Sequence, residues 1–118
     1  MTIKKIIKIL NCQVIVGEDK LDTEVMVGCG CDLMSDVLAF IKPEAMLLTG
    51  LSNLQTIRTA EMSELKVVCL VRDKQPNNDI VALAREKEII LLATSLPMFE
   101  ACGKLYKSGL MGHTEYYK

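Results

Sequence analysis

The stretch ELKVVCLVRDKQPNNDIVALAREKEIILLATS, residues 64–95, decides the fold. Val67-Val68-Cys69-Leu70-Val71 is apolar at every position, so a strand there must be covered on both faces, as in a parallel sheet. The loop from Arg72 to Asn78 contains Pro76, after which Ile80, Leu83 and Ala84 recur at helical spacing. Ile89 to Leu92 reads as the next buried strand. Strand, helix and strand within about thirty residues make a βαβ unit, which joins parallel strands by a right-handed crossover.

The same rhythm extends upstream. Met46-Leu47-Leu48 is an apolar run leading into Thr49-Gly50-Leu51-Ser52. Ser52 and Gln55 have capping-box spacing, and Leu54, Ile57, Arg58 and Met62 fit the helix that follows. Val25 and Val27 alternate with polar neighbours and lead into Gly28-Cys29-Gly30-Cys31; Asp32 is expected to cap a helix carrying Leu33, Val37, Leu38 and Ile41, stopped by Lys42-Pro43. At the N-terminus, Ile3, Ile6, Ile7 and Leu10 form one stripe of a helix capped by Thr2, with Lys4, Lys5 and Lys8 on the wet face. Residues 13–16 (QVIV) read as a short strand and Gly17-Glu18-Asp19 as a turn.

Downstream, Thr94 or Ser95 is expected to cap a last helix marked by Phe99, Cys102, Leu105 and Tyr106 and ended by Gly109. Residues 111–118 (MGHTEYYK) show no periodicity and are expected to form a flexible tail. The expectation is therefore one α/β domain over residues 1–110, a mainly parallel sheet with helices on its faces and a βαβαβα core.

Composition limits the function. Fourteen Lys and Arg against fifteen Asp and Glu give a net charge of −1, without the basic excess of a nucleic-acid binder. No apolar run approaches the ~18–20 residues that span a bilayer. Five cysteines, an odd number without secretory context, read as reduced thiols of a cytoplasmic protein. The single histidine, His113, lies in the expected tail, and no nucleophile elbow, zinc-protease motif or triad-like grouping occurs, so no catalytic residue is assigned.

Ligands of open parallel sheets lie beyond the carboxyl ends of the strands. Here those loops offer Thr49, Gly50, Ser52, Arg72, Lys74, Thr94 and Ser95, a set of hydroxyls, a backbone donor and cations suited to a small anion or nucleotide. The competing reading makes them caps and turn formers. Cys29 and Cys31 share a face of an extended segment and could hold one soft metal, with Cys12 or Cys69 as a further ligand, while His113 lies on the expected tail. Against this, a free cysteine also packs as a small hydrophobe. Glu18, Asp19, Asp22 and Glu24 form an acidic hairpin or loop suited to oppose the N-terminal lysines of a neighbouring subunit.

The strings LMSDVLAFIKPEAMLLTG (33–50) and VVCLVRDKQPNNDIVALAREKEIILLATSLPMFEACGKL (67–105) resemble the DRTGG domain. Such domains occur in relatives of HPr kinase/phosphorylase and in pyrophosphatases with CBS domains. The residues that name the family are replaced: Gly50-Leu51-Ser52 stands where that pattern has Gly-Asp-Arg, and Val71-Arg72-Asp73 where it has Thr-Gly-Gly. The resemblance implies an α/β regulatory or interaction module, commonly dimeric, binding a partner protein or a small effector and needing no cofactor. It implies no kinase chemistry, which belongs to a separate P-loop domain. Similarity of residues 28–40 to proteins found beside hydrogenases implies the alternative of a metal or iron–sulfur accessory protein using Cys29 and Cys31.

Overall fold

In the computed structural model, residues 1–117 are described; Lys118, the last residue of the expected tail, lies outside them. The elements run α1 (Ile3–Leu10), β1 (Gln13–Val16), β2 (Val27–Gly30), α2 (Met34–Phe40), β3 (Ala45–Thr49), α3 (Leu54–Met62), β4 (Val67–Leu70), α4 (Asn78–Glu86), β5 (Ile90–Ala93), α5 (Met98–Lys107) and α6 (His113–Tyr116). The five strands form one sheet in the order β1-β5-β4-β3-β2. β2, β3, β4 and β5 are parallel, and β1 adds antiparallel to β5. The expected mainly parallel α/β domain is present.

Three crossovers step in the same direction, from β2 to β5. Their common right-handedness puts α2, α3 and α4 on one face of the sheet. Alternate strand residues serve the two layers: Leu47, Val68, Leu70 and Leu91 pack beneath α2–α4, while Met46, Leu48, Cys69 and Leu92 pack beneath α1 and α5. Every residue of β3, β4 and β5 is buried, as the unbroken apolar run from 67 to 71 requires.

The acidic segment between β1 and β2 is no hairpin, because those strands lie on opposite edges. It runs past the start of α1, where Ile3 N–H donates to Thr23 O (3.0 Å) and Lys4 N–H to Leu21 O (3.0 Å). Lys4 pairs with Asp22 (3.2 Å) of its own chain, so that opposition is met within one subunit. At the far end, the expected aperiodic tail contains one helical turn. Gly28 N–H donates to Met111 O (3.0 Å), and the Tyr117 hydroxyl reaches Glu44 (2.8 Å).

Three caps differ from expectation. Asp32 does not cap α2; its N-cap is Leu33, without a side-chain bond, because Asp32 turns to the end of β3. α3 is capped by Asn53 rather than Ser52, the Asn53 Oδ1 accepting from Thr56 N–H (3.1 Å). α5 starts after Pro97, and the Thr94 hydroxyl instead donates to Leu10 O (2.7 Å), tying β5 to α1. Asp32 and Thr94 find stronger or longer-range partners than the helix N–H groups, and at α3 the neighbouring Asn53 takes the capping position. The apolar stripes also differ: α2 buries Met34 and Val37 while Leu33, Leu38 and Phe40 are exposed, and α5 buries Ala101 and Leu105 while Phe99 and Tyr106 are exposed.

Candidate functional site at the strand ends

The parallel strands β2 to β5 finish at one edge of the molecule. There β3 delivers Thr49 and Gly50, β2 runs on to Asp32, β4 to Arg72, and β5 to Thr94. Asp32 Oδ1 accepts from the Gly50 N–H (2.7 Å) and from the Thr49 hydroxyl (2.9 Å), and Thr49 Oγ1 in turn accepts from Leu51 N–H (3.1 Å). The Arg72 guanidinium lies directly on Gly50: a Cβ at position 50 would sit 2.6 Å from Arg72 Nη2. Only glycine lets that cation approach so closely.

The backbone aims Arg72 there under strain. Arg72 (φ 58°) and Asp73 (φ 57°) are consecutive left-handed residues, each costing ~1–2 kcal/mol. Asn11, Glu64 and Glu88 also have positive φ, but each simply closes a helix. The Arg72–Asp73 pair ends a strand. It is held by bonds across to the β5 loop, Arg72 N–H to Leu96 O (2.8 Å) and Asp73 N–H to Thr94 O (2.9 Å). Strain of this kind, fixed by cross-loop bonds, collects at functional sites.

The electrostatics follow the geometry. The Gly50 N–H does most to hold the Asp32 carboxyl below the usual carboxylate range; partial burial opposes it, and the Thr49 hydroxyl and Arg72 guanidinium add to the lowering. The result is an ionised carboxylate beside a cation on an exposed crest.

Of the residues expected to bind a ligand, Thr49, Gly50 and Arg72 converge around Asp32. Ser52 lies just beyond them, its buried hydroxyl without a hydrogen-bond partner. Lys74 and Ser95 are exposed on neighbouring loops. Thr94 is buried and its hydroxyl is engaged, donating to Leu10 O and accepting from Leu96 N–H (3.3 Å). The member that sequence reasoning placed elsewhere is Asp32. Its one signal is position, the first charged residue beyond β2 at the same sheet end as Thr49 and Arg72.

Two apolar cavities, of about 320 and 270 Å3, flank the edge strand β2 rather than the polar crest. The first lies between β2, α5 and Leu110; the second, toward α2, is bordered by Cys29, Cys31, Asp36, Phe40 and His113. Cys29 and Cys31 do share a face, both packing on the α2–α4 layer. Among the described residues, no group of three or more His, Cys, Asp or Glu is placed to hold a metal ion. Burial, reinforced by the neighbouring Cys31 and Cys102 thiols, pushes the Cys29 thiol up to about 11, which disfavours the thiolate that a metal needs. Likewise among the described residues, no helix is long and apolar enough to cross a membrane.

A solved structure shares this arrangement of strands and helices: the CBS and DRTGG domains of the regulatory region of Clostridium perfringens pyrophosphatase, complexed with the activator diadenosine tetraphosphate. The two align with a TM-score of 0.73 and 13% identity over 91% of this chain. The fold is DRTGG-like. The chain spans about half of that structure, 46% of its length. No family model matches the sequence, and no curated protein is similar to it. At this identity the likeness establishes the fold of the DRTGG-like domain and nothing beyond it.

Proposed function

We propose that this DRTGG-like domain is a non-catalytic regulatory or interaction module of the cytoplasm that works as a homodimer and binds a small anionic or nucleotide effector at its strand ends. The observation that carries the effector reading is the Arg72 guanidinium, which lies over Gly50 beside Asp32 at the mouth of the parallel sheet. Bonds from Arg72 N–H to Leu96 O and from Asp73 N–H to Thr94 O fix the left-handed turn at these two residues against the β5 loop. The pyrophosphatase region of like fold is regulatory and was captured with a nucleotide activator, which supports the same class of role here.

The dimer reading draws on the exposed apolar rim around β2, formed by Phe40, Phe99, Tyr106 and Met111. Single exposed apolar residues are ordinary, but four around one sheet edge are suited to association.

Thermal melting with ATP, diadenosine tetraphosphate and phosphorylated sugars tests the effector. A ligand at 100 times its Kd stabilises by ~2.7 kcal/mol, a shift of several degrees for a domain of this size. The expected result is a shift with at least one of these, lost in Arg72→Ala. No shift with any of them, or a shift that Arg72→Ala leaves intact, removes the strand-end site.

A further inference from the structure

A bare anion arriving at the ends of β3 and β4 finds the nearest donors taken. The Gly50 N–H and the Thr49 hydroxyl are both given to Asp32 Oδ1, at 2.7 and 2.9 Å, so this carboxylate already fills the place of an oxyanion. Two donors on one oxygen fix the plane of the group. The other oxygen, Oδ2, accepts no hydrogen bond from any described residue, on an exposed crest. What remains for a ligand is therefore mixed: one locked acceptor oxygen and, beside it, the Arg72 guanidinium, with Lys74 two residues along the same loop.

That pairing matches a molecule with two kinds of group. A phosphate answers Arg72 in bidentate fashion. Hydroxyl groups answer Asp32, because an ionised carboxylate is an acceptor only. In dinucleotide-binding α/β domains an acidic side chain takes a ribose hydroxyl in this way. Inorganic phosphate or pyrophosphate has no alcohol hydroxyls, only the acidic P–OH groups of its charged centre, and the charge on Asp32 opposes its approach.

We propose that Asp32 is the specificity-determining residue of the strand-end site, selecting phosphate esters of a polyol, such as ribonucleotides or sugar phosphates, over bare inorganic anions. This rests on the effector reading above and names the chemistry of its ligand. On this exposed crest the hydroxyl bond to the Asp32 carboxylate and the repulsion of a bare anion together are worth about tenfold in affinity.

Isothermal titration calorimetry of the full chain with ADP, ribose 5-phosphate and inorganic pyrophosphate provides the test, in the wild type, Asp32→Asn and Arg72→Ala. The wild type should bind ADP at least about tenfold more tightly than pyrophosphate. Asp32→Asn keeps an oxygen acceptor for Gly50 but removes the charge, so it should tighten pyrophosphate, weaken ADP and close that gap. Arg72→Ala should weaken all phosphate ligands. Ribose 5-phosphate separates the two sources: binding close to that of ADP marks a sugar phosphate site, and much weaker binding marks a nucleotide site. Equal affinity of the wild type for ADP and pyrophosphate overturns the role of Asp32, whether or not the variant folds. So does a ratio unchanged in Asp32→Asn, and in both cases the effector site itself stands. Binding of none of the three probes to the wild type or to Asp32→Asn removes the effector reading and this inference together.

Discussion

Gly17 and Gly109 both hold left-handed backbone, with φ of 104° and 109°, but only Gly17 is also enclosed. A Cβ at position 17 would lie 2.9 Å from Ile90 Cγ1 and 3.2 Å from Ile90 Cβ, whereas nothing lies within 4 Å at Gly109. Gly109→Ala should therefore cost ~1 kcal/mol of backbone strain alone, and Gly17→Ala ~2–4 kcal/mol, since overpacking is added. Urea denaturation measures both, and equal losses would mean that β5 yields to the new methyl group. Asp32 has a consequence in pH. Its pKa is lowered in the folded state, so its stabilisation is present above the ordinary carboxylate pKa of ~3.9 and is lost as pH falls through the folded value. The stability difference between wild type and Asp32→Asn should be full at pH 7 and shrink below about pH 4. A difference that stays constant to pH 2 would mean that the charge on Asp32 contributes nothing. Single residues were the least legible part of the sequence. Thr2 reads correctly as a cap because its partner, the Lys5 N–H, is three residues away. Asp32 and Thr94 do not, because their partners stand 17 and 84 residues off. The left-handed ends at Glu64 and Glu88 carry no residue-type signal either, whereas Asn11 does.

At the level of elements, length decided what could be read. β3, β4 and β5 announce themselves because burial on both faces makes every position apolar, and α1 does so because two full turns show a stripe. β1 has four residues and the right composition, yet neither its antiparallel sense nor its place beside β5 follows from QVIV. The ten residues from 17 to 26 reach at most ~36 Å, enough to form a turn or to cross four strand spacings of ~4.8 Å. The chain crosses. α6 is a single turn, too short for any period, and it is placed by the pairing of Met111 with β2 and by Tyr117 on Glu44. Those contacts predict how truncations behave. Ending the chain after Gly112 removes, among the described residues, only exposed and half-buried groups and should lower stability by no more than ~1 kcal/mol. Ending it after Gly109 also removes Leu110, buried beneath α5, and leaves the Gly28 N–H without Met111 O. That second truncation should cost a further ~2–4 kcal/mol. Thermal melts of the two fragments decide the point, and identical melting would show that Leu110 contributes no core.

For the whole molecule, the two sheet edges are treated differently. At β1 the end residue Val16 is buried and Gly17 closes against Ile90. At β2 the strand is Val27-Gly28-Cys29-Gly30, thin in side chains, with apolar cavities on both sides and, among the described residues, Met111 bridging it. Phe99, at 88% exposure, stands at the rim of the larger cavity, so a projecting ring and a hollow share one surface. A two-fold dimer can use that combination, since the same patch of each subunit faces the other and can serve as both knob and hole. Neither feature was legible in the sequence, where Phe99 reads simply as the apolar marker of a helix. If the proposed dimer forms through this rim, Phe99→Asp should weaken association by at least about tenfold in sedimentation equilibrium. Its monomer should melt as the wild-type monomer does, because Phe99 packs on so little of its own chain. Met62→Asp, on α3 across the sheet from α5, is the control: it is exposed to a similar degree as Phe40 and lines neither cavity. Association lost in Met62→Asp and kept in Phe99→Asp would move the interface to the other layer. A wild type that stays monomeric at ~1 mM would remove the dimer, because specific interfaces above ~1,000 Å2 hold far below that concentration.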